Sequence, residues 1–138
     1  MTNARAIQGL AKHYRMFIDG EWVDSKKEET IDVVNPATER VIASVPKANR
    51  EQAKAALQAA EDAQPRWEDL APLQRATFLF KTAQLIRRDK EKLARLLTSE
   101  QGKPLFEARG EIDGAASNFE YYAEFARRIE GDVLPSVQ

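Results

Sequence analysis

The residues able to do chemistry gather in one stretch, Thr98 to Ile112, which reads TSEQGKPLFEARGEI. It holds the carboxylates Glu100, Glu107 and Glu111 and the cations Lys103 and Arg109. A Gly-Lys pair cradles phosphate when another glycine stands five residues earlier, a hydroxyl residue follows the lysine, and the loop joins a strand to a helix. Here position 97 is leucine, Pro104 follows Lys103, and the preceding pattern is helical, so this is no phosphate loop. Glu107 and Glu111 stand four apart, the spacing that puts two carboxyls on one helical face for acid–base work. Lys103 and Arg109 are available to pair with them, and no histidine stands nearby, so a solvated charged face is the preferred reading. Gly102 reads as a left-handed helix stop and Pro104 as the start of the next helix.

The rest of the inventory is negative. There is no cysteine, which removes disulfides, thiolate metal sites and thiol catalysis from this chain. The single histidine, His13, lies in the N-terminal tail, so neither a histidine-rich metal site nor a Ser-His-Asp triad is expected in the body of the domain. No glycine-rich turn links a strand to a helix, so no dinucleotide fingerprint is present. Phe119, Tyr121, Tyr122 and Phe125 form an aromatic cluster among alternating charges, without the basic groove that nucleic-acid stacking needs. Core packing is expected for Phe119 and Tyr122. Gly110 and Gly114, one helical turn apart, predict close approach of a neighbouring backbone.

Composition agrees. The 138 residues carry 21 basic and 22 acidic side chains, a net charge of −1, with 43% hydrophobic and 31% charged residues. That is ordinary for a folded domain and supplies no field for nucleic acid or an anionic membrane. No apolar run is long enough to span a bilayer. The opening MTNARAIQGLAKHYR reads as a short frayed helix in preference to a signal or transit peptide.

Four parts position these residues. Residues 1–14 form a tail. Residues 15–48 form a β-hairpin and short strands: runs near 16–18 and 21–23 flank the turn dipeptide Asp19-Gly20, and β-rich runs at 31–34 and 41–45 flank Asn35-Pro36. Pro46 should end the last run. Residues 49–131 form about four helices. Asn49 and Gln52 stand in capping-box relation, followed by a face of Ala53, Ala56, Leu57 and Ala60, and that helix should end before Pro65. Pro72 opens a second helix with Leu73, Ala76, Leu79, Phe80, Ala83 and Ile86 inward. Asp89 is placed to cap a third, with Leu93, Leu96 and Leu97 inward. The longest helix, about 105–130, shows Ile112, Ala115, Ala116, Phe119, Tyr122, Ala123, Ala126 and Ile129, with Gly131 as its stop. Glu120, Glu124, Arg127 and Arg128 should pair along its surface. Residues 132–138 form a connector. The fold class is α+β, mostly helical.

In order along the chain, MFIDGEWVDS, VVNPATERVIASVP, PRWEDLAPLQRATFLFKTAQLI, LLTSEQGKPLFEARGEI and FEYYAEFARRIEGDVLPS together resemble the opening section of an NAD(P)-dependent aldehyde dehydrogenase, over about residues 16 to 136. The resemblance implies the opening part of that family's α/β fold, with helices bracing a cofactor domain. The family oxidises aldehydes to acids through a cysteine nucleophile, a glutamate base and an oxyanion-stabilising asparagine, passing hydride to NAD or NADP. The resemblance places those groups beyond this chain, so no catalytic and no cofactor-binding residue is assigned here. It implies a partial monovalent-cation site, for Na or K, at Val33, Val34 and Glu100, and an aldehyde tunnel wall at Ala115 and Phe119. Its partners would be the remainder of the dehydrogenase chain and further copies in a cytoplasmic dimer or tetramer. The competing expectation is a stand-alone helical interaction or oligomerisation module without catalysis.

Overall fold

The computed structural model describes residues 13–128 and 130–131. Two antiparallel hairpins precede a cluster of helices, an α+β arrangement in which helix predominates. Strands β1 (Met16–Ile18) and β2 (Glu21–Val23) are joined by Asp19 at φ 53° and Gly20 at φ 79°. Two successive positive φ angles suit a two-residue turn whose twist matches the strands, which is why Asp-Gly stands there. Phe17 and Trp22 face each other across this hairpin with ring centroids 5.1 Å apart.

Strands β3 (Thr30–Asn35) and β4 (Arg40–Pro46) form the second hairpin. Asn35 builds its turn: its Oδ1 accepts the Ala37 N–H at 2.9 Å and its carbonyl accepts the Glu39 N–H at 2.8 Å. The register slips between Val33, opposite Ala43, and Val34, opposite Val41, leaving Ile42 as the extra residue of a bulge. Pro46 closes β4, opposite Thr30.

Helix α1 (Arg50–Glu68) begins with the expected box: Asn49 Oδ1 accepts the Gln52 N–H at 2.8 Å, and Gln52 Oε1 accepts the Asn49 N–H at 3.3 Å. Gln52 is the buried residue of this helix, and its Nε2 donates to the Asp24 carbonyl at 2.9 Å, tying α1 to the linker after β2. The helix does not stop before Pro65. It runs through it to Glu68, and the Pro65 carbonyl accepts the Asp69 N–H at 3.0 Å. Pro65 is exposed, so water can satisfy the Glu61 carbonyl that loses its helical donor, while Trp67 anchors the last turn on Phe78 with centroids 5.5 Å apart. The face expected to be inward is open, with Ala53 and Ala60 exposed and Leu57 at 71%.

Helices α2 (Pro72–Arg88), α3 (Lys90–Gln101) and α4 (Leu105–Glu124) pack together, α4 lying against both others. Their seam is alanine: Ala76, Ala83, Ala94, Ala108, Ala116 and Ala123 are buried, four of them completely. Among the described residues no large side chain is fully buried. Phe119 and Tyr122 are therefore exposed and not core, as are Leu73 and Phe80. Backbones that approach on methyl groups leave no depth for rings, and these stay on the shoulders of a narrow stripe. Leu93, Leu96 and Leu97 are half-buried.

Asp89 occupies the α3 cap position, but its carboxylate takes Arg88 at 2.7 and 3.0 Å. It also closes α2, and its φ of −97° and ψ of 11° are not the extended angles from which a side chain caps. Helix α4 ends at Glu124 and tightens into a 3₁₀ turn, Phe125–Arg127, so Gly131 is not its stop; Ile129 and the connector 132–138 lie outside the described residues. A Cβ built on Gly110 or Gly114 meets nothing within 4 Å, so no backbone approaches them among the described residues. Gly102 is the opposite case. It caps α3 at φ 78°, its N–H reaches the Thr98 carbonyl at 2.8 Å, and a Cβ there would stand 2.8 Å from Pro36 Cγ.

Gly102→Ala should therefore destabilise the protein by about 1–3 kcal/mol, through left-handed strain and the clash with Pro36. Gly110→Ala and Gly114→Ala in the same chain should each stabilise it by about 0.5–1 kcal/mol. Amide hydrogen-exchange protection of α3 and α4 in the three variants decides both statements.

Candidate functional site

The contact of Gly102 with Pro36 joins the two motifs that carry the cation assignment. It seats the C-terminal end of α3 against the β3–β4 turn, and α3 also packs on β3. Val33 and Val34 straddle the bulge, where one strand's backbone groups fall out of ladder register. Glu100 is the penultimate residue of α3, in its last turn, and is exposed. The hydroxyl of Thr98, on the same last turn, is buried without a hydrogen-bond partner. The helix end adds the negative pole of its dipole. Carbonyl, carboxylate and hydroxyl oxygens are the donors a hard cation selects. Among the described residues no group of three His, Cys, Asp or Glu is arranged to hold a metal ion, so any ion here would rest largely on backbone oxygen.

Three carboxylates of α4, Glu111, Asp113 and Glu120, and Glu91 of α3 form ties between or beside helices, whereas Glu107 is exposed. Glu91 on α3 holds Arg109 by two bonds, 2.8 and 2.9 Å. Glu120 holds Arg87 of α2 at 2.7 and 3.1 Å, and Arg87 also reaches Ser117 at 3.2 Å. Lys90 pairs with Asp113 at 2.6 Å, and Lys103 with Glu111. Glu120 thus reaches across to α2 instead of pairing along α4 with Arg127 or Arg128, because the guanidinium of Arg87 can meet both its oxygens. The bond from Arg109 holds the Glu91 carboxyl below its ordinary value, and the bond from Arg87 does the same for Glu120.

Ala115 is half-buried and Phe119 partly exposed on α4. Neither lines the apolar groove of about 240 Å³ between α2 and the end of α4, whose walls include Trp67, Leu79, Tyr122 and Phe125. One constellation went unforeseen. His13 lies between Asp24, 2.7 Å from Nε2, and Ser44, 3.1 Å from Nδ1. These residues are 11 and 31 positions from His13 in sequence, and no local pattern announces their meeting.

The aldehyde dehydrogenase family model matches residues 22–138. The chain belongs to that family. Glutarate-semialdehyde dehydrogenase of Pseudomonas putida is 46% identical over 122 residues, which are 88% of this chain and 25% of that protein. Succinate-semialdehyde dehydrogenase [NADP(+)] GabD of Escherichia coli is 47% identical over 121 residues, again 88% and 25%. An NADP-dependent enzyme of E. coli superposes with a TM-score of 0.88 at 45% identity, over 91% of this chain and 26% of that one. PnpE in complex with nicotinamide adenine dinucleotide gives 0.85 at 34%, over 90% and 26%. The chain thus spans about a quarter of the length of the aldehyde dehydrogenases it matches.

The two bidentate ties make a pH prediction. Glu91 and Glu120 release their protons more readily in the folded aldehyde dehydrogenase segment than at the ordinary glutamate value of 4.5. Their contribution is complete above that value and is lost as pH falls below it toward the depressed folded values. Amide hydrogen-exchange protection of α4, corrected for the intrinsic pH dependence of exchange, should fall between about pH 6 and about pH 3, and the double variant Glu91→Gln/Glu120→Gln should show a shallower fall. Equal slopes would remove these pairs from the account.

Proposed function

We propose that these residues are the buttressing N-terminal part of an NAD(P)-dependent aldehyde dehydrogenase that oxidises aldehydes to carboxylic acids, with catalysis supplied by the remainder of the chain. The observation that carries this is what the helices leave uncovered. The buried apolar residues among those described are all alanine, while Phe17, Trp22, Leu57, Phe78, Phe106 and Tyr122 are each more than half exposed. Apolar surface of that extent, on a chain spanning a quarter of its relatives, is surface made to be covered. The helical part, residues 49–131, braces the cofactor domain, and residues 132–138 connect to it. The assembled enzyme is a cytoplasmic homo-oligomer.

The residues present do not fit the nicotinamide cofactor. The described strands form two antiparallel hairpins and no parallel sheet with a crevice at its carboxyl ends, and the chain has no cysteine to attack an aldehyde. No step of hydride transfer is assigned to them. Val33, Val34 and Glu100 fit a Na or K ion better: the bulge, the helix end and the unpartnered Thr98 hydroxyl support it. That ion would pin the hairpin to α3 and act on position, not on bond making. Ala115 and Phe119 contribute to the aldehyde tunnel only once the missing wall is in place.

The purified 138-residue chain should show no NAD(P)-dependent oxidation of aldehydes, and should gain cooperative unfolding when co-expressed with the rest of an aldehyde dehydrogenase. Turnover by the chain alone, or sharp two-state unfolding of it as a monomer, would overturn the reading; the latter would favour an independent interaction module. In the full enzyme, replacing NaCl and KCl with choline chloride should lower stability by about 1.4 kcal/mol if the cation stood tenfold above its dissociation constant. Glu100→Ala should abolish that difference.

A further inference from the structure

We propose that His13 is a clamp that closes the outer edge of the β3–β4 hairpin against strand addition by another chain. β4 is laddered to β3 on one side. Its other side, among the described residues, meets only the short segment at His13: His13 bridges Ser44 in parallel, and the Tyr14 N–H donates to the Ser44 carbonyl at 3.1 Å. The run Val41-Ile42-Ala43-Ser44-Val45 is uncharged and mostly β-branched, and Val41 is 56% exposed. An uncovered edge of that composition is a template for pairing with a further strand.

A backbone bridge this short is a weak fastening, and the imidazole reinforces it from two directions. Nδ1 meets Ser44 Oγ at 3.1 Å, on the strand being covered, and Nε2 meets Asp24 Oδ1 at 2.7 Å. Asp24 is itself fixed. Arg15 holds its other oxygen at 3.1 Å, and its carbonyl accepts from the buried Gln52 of α1. The neighbouring Ser25 hydroxyl donates to the Lys47 carbonyl, just past the end of β4, at 2.7 Å. The imidazole therefore ties the covering segment at once to β4 and, through Asp24, to the cap of α1. Ser, His and Asp also compose nucleophilic triads, but His13 is exposed to solvent and Ser44 lies within a strand ladder, so the set is suited to holding and not to acyl transfer.

The test is amide hydrogen exchange on the full protein, read by mass spectrometry in peptides containing Tyr14, with assembly mass followed by light scattering. His13→Ala should lower Tyr14 protection about threefold to fivefold, the scale of an exposed polar pair, and Asp24→Asn should lower it less. His13→Gln, which can still donate to Asp24 and accept from Ser44, should recover part of the protection. Only His13→Ala should form concentration-dependent species larger than the wild-type assembly. Unchanged protection in His13→Ala would overturn the clamp, and lost protection without larger species would overturn its edge-closing role. Hydrolysis of p-nitrophenyl acetate that disappears in Ser44→Ala would show a catalytic site instead.

Discussion

Helix α4 lies on α2 and α3 through alanine, and that closeness governs most of what the molecule does with its other side chains. A fully buried leucine or phenylalanine contributes about 1.5–3 kcal/mol, and no such residue appears in the buried set. Alanine methyls contribute less but let the axes approach, so the helices form a thin plate instead of a deep core. A plate has two faces. Here the large apolar groups stand on its shoulders and faces, at Phe78, Phe106, Tyr121 and Tyr122. An element of that shape suits stacking against another layer, as domains built from packed layers require.

Because the seam is shallow, its register needs other restraint. Arg87 with Glu120 and Arg109 with Glu91 connect α4 to α2 and α3 through two-point contacts, whose planar geometry fixes both rotation and sliding. All four groups are exposed to solvent, so their worth lies less in stabilisation than in selecting one alignment of smooth alanine surfaces. Asp113, shared between Lys90 and Arg87, sits where the three helices meet.

Sequence revealed those features whose cause is local. The Asp19-Gly20 turn, the Asn49–Gln52 box, Pro72 at a helix start and Gly102 at a helix stop each follow from the conformational preference of one or two residues, and each is where it was expected. What misled was tertiary. Pro65 reads as a terminator, yet an exposed position lets water replace the missing donor. Phe119 and Tyr122 fall on a helical stripe, but the stripe that is buried is narrower than the one that is apolar. Gly110 and Gly114 suggested a neighbour that the described residues do not contain. The pairing of Gly102 with Pro36, and of His13 with Asp24 and Ser44, joins residues too far apart for any periodicity to report. The family was legible because five separate stretches occur in order, although none of them is decisive alone.

The Gly102–Pro36 contact also bears on why a glycine and two prolines stand together at one corner of the fold. Gly102 ends α3 only by adopting φ 78°, and Pro104 follows at the start of α4 with φ −56°. Between them, Lys103 is held by Glu111 of α4. The corner therefore sets the angle between α3 and α4, and Pro36 fills the space that any side chain at position 102 would need. Angle and hairpin position are thereby one variable: α3 and α4 cannot change their angle without disturbing the β3–β4 turn. A cation bridging Val33 and Val34, opposite the Ile42 bulge, and Glu100 would strengthen that same coupling. A buttress acts by this kind of stiffness. It transmits the position of one layer to the next.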